Sequence, residues 1–157
     1  MENYKLYKEF LSSEFCNKVI SEFKNYFRYR PQGVWVSWEI NNLEYKDYIL
    51  NKFKELIPSG SFNTRINITV YNEGDKLRMH RDTASDLTIV ANLNCNYDGG
   101  DFRIYDKNIK LGTGDVVTFN GATEQHGVRE VSKGTRYSLN IWQSFDRRKH
   151  PELKSSI

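Results

Sequence analysis

From Phe62 onward, apolar and polar side chains alternate along several short segments, and this alternation restricts that part of the chain to β-strands. The predicted strands are Thr64–Tyr71, Leu87–Asn94, Asp101–Tyr105, Asp115–Phe119 and Arg136–Phe145. Glycine-rich turns separate two pairs of them, at Gly99-Gly100 and at Gly112-Thr113-Gly114. Nothing in this region resembles a βαβ unit, so residues 62–146 are predicted to form an antiparallel core.

The first 60 residues show helical spacing instead. After a short predicted strand, Tyr4–Phe10, Ser12 occupies an N-cap position and Glu14 the first turn of a helix. The apolar residues of this helix are Phe15, Val19, Ile20, Phe23 and Phe27. Those of a second helix, ending before Pro58, are Tyr45, Tyr48, Ile49, Phe53 and Leu56. Between them, Arg30–Glu39 is predicted to be a loop with a short strand. Helices followed by antiparallel strands predict a single α+β domain, its helices packed on one face of a sandwich or barrel.

The composition of the chain indicates its domain size and cellular compartment but says little about its function. The chain has 157 residues, enough for one domain with its own core, and an aromatic fraction of 14% typical of β-rich domains. The polar N-terminus predicts no signal peptide, and no apolar run approaches the ~20 residues of a membrane span. Cys16 and Cys95 show no metal or redox spacing, so we expect a cytoplasmic protein. The net charge is +3, and the one basic cluster, at Arg147–Lys149, favours a solvated tail over a nucleic-acid surface. Charge alone does not choose a partner.

Three side chains are candidate metal ligands. In His80-Arg81-Asp82 the imidazole and the carboxylate are two residues apart, so on an extended chain both point to the same side. His126 follows the predicted strand Asp115–Phe119 and a short loop. Each feature alone is also typical of a protein surface. Together, two histidines and one carboxylate are the facial triad of non-haem iron oxygenases, which leaves coordination positions open.

Two predicted strands carry polar residues along one side. Arg136, Ser138, Asn140 and Trp142 alternate with apolar residues, as do Asn67, Thr69 and Tyr71. This polar side could simply face solvent. If it faces a cavity, Arg136 would be a buried cation that needs an anion, and its guanidinium could bind a carboxylate through two hydrogen bonds. Tyr71 could then donate to the same carboxylate.

From about Thr64 to Trp142, the sequence resembles the prolyl 4-hydroxylase-like branch of the 2-oxoglutarate/Fe(II)-dependent dioxygenases. A tyrosine lies nine residues before the first metal histidine, as Tyr71 does before His80. A basic residue lies ten positions beyond the distal histidine, as Arg136 does beyond His126, and a tryptophan follows six positions later, as Trp142 does. The segments Leu93-Asn94, Gly99-Gly100-Asp101-Phe102 and Phe10-Leu11-Ser12 are also similar.

The resemblance implies a double-stranded β-helix (jelly-roll) core with N-terminal helices packed on one sheet. It implies Fe(II) held by His80, Asp82 and His126, and 2-oxoglutarate held by Arg136 and Tyr71. Such enzymes use O2, in some cases with ascorbate, and hydroxylate a substrate while 2-oxoglutarate is converted to succinate and CO2. We expect a prolyl or other residue of a peptide or protein as substrate, contacted by Trp142 and Arg81. We also expect a monomer or a weak dimer.

Two alternatives remain open at this point. Tyr71–Leu77 also looks like the nucleic-acid dealkylating members of the superfamily, so a nucleobase or a small metabolite is a second substrate class. Those members carry a second arginine six residues after the first, where this chain has Trp142, and this difference favours the hydroxylase branch. A third possibility is a jelly-roll module that binds metal without turnover. Arg30–Asn42, with Trp35 and Trp38, forms either a lid over the substrate or part of the core.

Overall fold

The fold was analysed in a computed structural model that describes residues 3–23 and 36–150. The two helices of the described residues are α1 (Ser13–Phe23) and α2 (Leu43–Lys52). The first six strands are β1 (Tyr4–Tyr7), β2 (Val36–Glu39), β3 (Phe62–Tyr71), β4 (Leu77–His80), β5 (Leu87–Asn92) and β6 (Tyr97–Gly99). The other six are β7 (Phe102–Ile104), β8 (Lys107–Ile109), β9 (Val116–Phe119), β10 (His126–Val128), β11 (Val131–Gly134) and β12 (Arg136–Ser144). No helix among the described residues is both long and apolar enough to cross a membrane.

A large antiparallel sheet has the strand order β1-β9-β5-β12-β3-β2. Within this sheet β3 pairs with β12, and in this pair Tyr71 lies opposite Arg136 and Asn67 lies opposite Asn140. Because side chains alternate between the faces of a strand, this register sends the apolar and the polar residues of both strands to opposite faces. The predicted alternation is confirmed in both strands.

The apolar face of the large sheet packs against the helices. The core there includes Phe15 and Val19 from α1, Ile49 from α2, and Ile68 and Leu139 from the sheet, all of them buried. Burial of such side chains contributes about 1.5–3 kcal/mol each, which explains why short helices are stable here. The α+β class and the packing of the helices on one face of the sheet are confirmed.

A second sheet, with the order β4-β10-β7-β8, faces the polar side of the large sheet. One part of the interior between them is apolar and is filled by buried Val90, Phe102, Ile104, Leu111, Val117 and Phe119. The other part is a cavity of about 280 Å³. The fold therefore holds a cavity, with the polar residues of β3 and β12 along one wall, beside an apolar cluster.

Turn glycines fix one end of this core. Gly114 has φ +83°, and a Cβ there would lie 2.1 Å from the carbonyl oxygen of Leu11, so only glycine is accommodated. Its N–H donates to Asn92 O at 2.8 Å, and its carbonyl accepts from Leu11 N at 3.1 Å. The predicted turn at residues 112–114 is thus confirmed, and it ties the start of α1 to β5.

The predicted boundaries differ from the structure in several places. The second helix ends at Lys52, and Phe53 and Leu56 lie in successive turns, although Phe53 is still buried. The first strand stops at Tyr7 instead of Phe10. Ser12 does cap α1, since its Oγ accepts from Phe15 N at 3.1 Å. Phe27, Arg30 and Trp35 lie outside the described residues, whereas the short strand predicted within Arg30–Glu39 is present as β2.

Candidate active site

The three predicted metal ligands converge in the structure. His80 ends β4 and His126 begins β10, and these residues lie opposite each other in the small sheet. Asp82 follows β4 by two residues. One ligand atom from each of the three side chains lies within 4.8 Å of the others. Two neighbouring strands and the turn after one of them therefore produce a compact set of two imidazoles and one carboxylate.

Backbone carbonyls fix the orientation of both imidazole rings. His80 Nδ1 donates to Arg78 O at 2.9 Å, and His126 Nδ1 donates to Glu124 O at 2.8 Å. The Nε2 atoms consequently face Asp82, at 3.2 Å from Oδ1 and 3.1 Å from Oδ2. Nδ1–H to carbonyl bonds of this kind select the ring tautomer whose Nε2 can bind a metal.

Hydrogen bonds within the triad shift the pKa values of Asp82 and His80 in opposite directions. Burial favours the neutral form of Asp82, but hydrogen bonds from His126 and His80 hold the pKa of its carboxyl well below the usual range. The hydrogen bond to Asp82 in turn raises the pKa of His80 above the ordinary value, against the effect of burial. A carboxylate that stays ionised beside two imidazoles is suited to bind a divalent cation.

Residues behind Asp82 hold it in place. Thr88 Oγ1 donates to Asp82 Oδ2 at 3.0 Å and lies 2.8 Å from Ser85 Oγ, and both hydroxyl residues are buried. Asp82 N donates to Gly121 O at 2.7 Å. A Cβ at Gly121 would lie 2.2 Å from Thr88 Oγ1, so this close approach requires glycine. Thr88 was not among the predicted site residues, although it shares one side of the predicted strand Leu87–Asn94 with Asn92.

Arg136 is a buried cation at one end of the cavity. Its side chain is only 1% exposed, and Nε donates to Asn92 Oδ1 at 3.1 Å. Asn92 is itself held by bonds from its Nδ2 to Leu111 O and Gly112 O. Nη1 and Nη2 of Arg136 have no hydrogen-bond partner within residues 3–23 and 36–150. A buried guanidinium with two unused donors is the arrangement expected of an anion site.

Tyr71 lies beside this cation. The Arg136 Cζ is 5.1 Å from the centroid of the Tyr71 ring, and the two residues face each other across β3 and β12. Burial raises the pKa of Tyr71, although Arg136 acts in the opposite direction. The phenol therefore stays protonated at neutral pH and can donate a hydrogen bond into the cavity.

Trp142 and Arg81 have different positions relative to the cavity. Trp142 lines it, lies 5.3 Å from the guanidinium of Arg65, and helps to lower the pKa of Asp82 by hydrogen bonding. Arg81 is exposed, is absent from the cavity wall, and donates from Nε to Thr123 O at 3.1 Å. Because Arg81 lies between His80 and Asp82 on an extended chain, its side chain points away from them. That Arg81 contacts substrate stays a prediction.

These observations meet the requirements of Fe(II) and 2-oxoglutarate. Two oriented Nε2 atoms and one carboxylate form the donor set of a facial triad. The unpartnered nitrogens of Arg136 and the phenol of Tyr71 suit the carboxylate at the far end of a dicarboxylic acid. Both groups open onto the same cavity.

Comparisons with known proteins agree with this geometry. Residues 66–144 match the family model described as the 2OG-Fe(II) oxygenase superfamily. Human prolyl 3-hydroxylase 1 is 32% identical over 74 residues, which are 42% of this chain. The matched segment spans only 10% of that protein.

Solved structures show that the fold is shared beyond the catalytic motif. The viral collagen prolyl hydroxylase of Paramecium Bursaria Chlorella virus-1, in its 2OG complex, has a TM-score of 0.74 and 18% identity, covering 91% of this chain and 97% of that one. A prolyl hydroxylase of Trichoplax adhaerens, in complex with a hypoxia inducible factor peptide fragment, has a TM-score of 0.76 and 17% identity, covering 97% and 87%. The predicted double-stranded β-helix with N-terminal helices is thereby confirmed.

Proposed function

Since the chain belongs to the 2OG-Fe(II) oxygenase superfamily, we propose that it is a dioxygenase that hydroxylates a prolyl or other residue of a peptide or protein. The observation that carries the proposal is the buried guanidinium of Arg136, two of whose nitrogens have no partner among the described residues and which opens onto the same cavity as the triad. A module that only bound metal would have no use for a buried cation in the same cavity as the metal ligands. The buried guanidinium therefore favours an enzyme that also binds a dicarboxylate.

Each residue then has a defined task. His80, Asp82 and His126 would hold Fe(II), and Thr88 and Ser85 keep the Asp82 carboxylate in place. Arg136 would bind the distal carboxylate of 2-oxoglutarate, with Tyr71 as a second donor. When bound, Fe(II) and 2-oxoglutarate supply the oxidising chemistry, in which 2-oxoglutarate and O2 yield succinate, CO2 and an oxygen atom for the substrate.

The apolar cluster protects the inner side of the triad. The ring of Phe119 lies 4.5 Å, centroid to centroid, from that of His126, and Phe102 lies 6.3 Å away. These rings exclude water from one side of the site, which strengthens electrostatic interactions within it. Substrate would consequently approach from the opposite side, where Trp142 lines the cavity.

A peptide substrate is supported by the comparisons and by the chain itself. Two structural neighbours are prolyl hydroxylases, one of them solved with a peptide. Trp142 occupies the position where the dealkylating members of the superfamily carry a second arginine. An aromatic ring at the entrance suits a prolyl ring better than it suits a phosphate backbone.

The test is a substrate screen with the Fe(II)-loaded protein, 2-oxoglutarate and air. Proline-rich peptides are compared with methylated oligonucleotides and free amino acids, and products are examined by mass spectrometry for one added oxygen atom. We expect peptides to stimulate succinate release and to gain oxygen. Stimulation by oligonucleotides but not by peptides would replace the proposed substrate class with a nucleobase.

A further inference from the structure

A chain of hydrogen bonds between polar side chains crosses the cavity wall formed by β3 and β12. Ser138 Oγ donates to Asn140 Oδ1 at 2.9 Å. Asn140 Nδ2 then donates to Asn67 Oδ1 at 3.0 Å and to Thr69 Oγ1 at 2.9 Å. All four side chains are buried and line the cavity.

This network determines the orientation of the Asn67 amide. In the structure both hydrogens of Asn140 Nδ2 are used within the network, and the Asn67 atom that faces them is its carbonyl oxygen. Turning the Asn67 amide alone would place two NH2 groups against each other. Asn67 Nδ2 is therefore the free end of the network, and it has no hydrogen-bond partner in the described part of the chain, although the residue is only 2% exposed. A free amide donor in the cavity wall can bind a ligand that enters the cavity.

The position of Asn67 separates it from the 2-oxoglutarate site. Arg136 and Tyr71 form one cross-strand pair, and Asn140 and Asn67 form another pair four residues further along, about 13 Å away. Asn67 is also displaced sideways from the metal ligands. It lies on β3, whereas Thr88, which bonds to Asp82, lies on β5, two strands and thus about 10 Å away. A five-carbon acid that reaches from Arg136 to the triad leaves this flank of the cavity to another molecule.

We infer that Asn67 Nδ2 donates a hydrogen bond to a backbone carbonyl oxygen of the peptide substrate and so fixes which residue reaches the triad. This inference rests on the proposed function. A prolyl residue offers carbonyl oxygens but no N–H, so a free amide donor in the cavity wall is suited to it. Asn67 is then a residue that determines specificity rather than one that acts on the metal or on 2-oxoglutarate.

The substitution that isolates this donor is Asn67→Asp. The carboxylate has the same shape and still accepts from Asn140 Nδ2, but it replaces the free NH2 with an oxygen that repels a carbonyl. Asn67→Leu removes the donor without adding charge and decides the question if the first variant does not fold. Asn108→Asp, at an exposed position on β8 outside the cavity, controls for the added negative charge.

Binding is measured with Mn(II) and 2-oxoglutarate in the site, using the fluorescence anisotropy of labelled proline-rich peptides that include five Pro-Pro-Gly repeats. We expect both Asn67 variants to bind peptide roughly tenfold or more weakly than wild type. Their affinity for 2-oxoglutarate, and peptide binding by Asn108→Asp, should change less than about twofold.

The outcomes separate this inference from the function on which it rests. If the wild type binds peptide and the Asn67 variants bind it equally well, the inference is wrong and the peptide hydroxylase proposal stands. Weaker binding of 2-oxoglutarate with unchanged peptide binding would assign Asn67 to the cosubstrate and also overturn it. If no peptide binds the wild type, both proposals fail.

Discussion

Replacing Arg136 by methionine should stabilise the protein while removing its response to 2-oxoglutarate. Arg136 is 1% exposed, and two of its three guanidinium nitrogens are unpartnered within the described residues. Each such buried donor costs about 1–3 kcal/mol, whereas the lost bond from Nε to Asn92 contributes about 1 kcal/mol. Asn92 Oδ1 still accepts from Tyr97 Oη at 3.2 Å in the variant. We therefore expect a net gain of about 1–5 kcal/mol in the free energy of unfolding of the ligand-free protein.

Although Arg136→Met should stabilise the ligand-free protein, it should remove the stabilisation that 2-oxoglutarate gives to the wild type. In the wild type, 2-oxoglutarate at about a hundred times its Kd should add about 2.7 kcal/mol to the free energy of unfolding. For a domain of this size, that corresponds to a rise in Tm of roughly 5–11 °C. In Arg136→Met the same concentration should give almost no rise, because the charge-assisted bonds to the distal carboxylate are lost.

The assay is thermal unfolding by circular dichroism, with Mn(II) in place of Fe(II) to prevent turnover. Arg129→Met, at an exposed position, controls for the loss of one positive charge. A full rise in Tm with 2-oxoglutarate in Arg136→Met would refute the assignment of the carboxylate site. A ligand-free variant clearly less stable than the wild type would refute the argument about unpartnered buried donors.

Three further predictions follow from single contacts. Tyr71→Phe should raise the KM for 2-oxoglutarate mildly and Arg136→Ala strongly, since a charge-assisted bond is about twice as strong as a neutral one; equal small effects in steady-state kinetics would contradict this. Thr88→Val should weaken Mn(II) binding by about tenfold in an EPR titration, because the hydroxyl that donates to Asp82 is lost. Thr88→Ser keeps this hydroxyl and should bind Mn(II) as the wild type does. Identical affinities of the two variants would show that Thr88 does not support the metal site. Asp115→Asn should lower the free energy of unfolding by about 1–3 kcal/mol at pH 7 in urea, because Asp115 accepts from Lys8 Nζ, Glu9 N and Gly112 N. These bonds lower the pKa of Asp115 despite burial, so the stabilisation is present above the usual value of 3.8 and is lost as pH falls below it; an effect that grows at acidic pH would contradict the sign.

The strands with long, regular alternation were predictable, and so were the residues on their polar face. A period of two in β3 and β12 divides each strand into an apolar face and a polar face. Alternation placed Tyr71, Arg136 and Trp142 on the polar face and left open whether that face meets solvent or a cavity. In the structure all three line the cavity. Their roles remain proposals.

The short strands were not predictable from pattern. β4 and β10 have four and three residues, too few for alternation to be distinguished from chance, yet their pairing is what brings His80 opposite His126. The amide network also depends on strand pairing that the sequence pattern does not reveal. Asn67 and Asn140 are 73 residues apart in sequence, and only the register of β3 and β12 makes them partners. The predicted cytoplasmic setting and the oligomeric state stay predictions.

Succinate release from 2-oxoglutarate by Fe(II)-loaded protein tests the central claim, that the triad and Arg136 serve one reaction. It is measured for the wild type, His126→Ala and Arg136→Met in the presence of the best peptide from the screen. We predict turnover in the wild type, none in His126→Ala, and turnover in Arg136→Met only at greatly raised 2-oxoglutarate concentrations. Unchanged succinate release in His126→Ala would contradict the account, because iron would then be held by other residues.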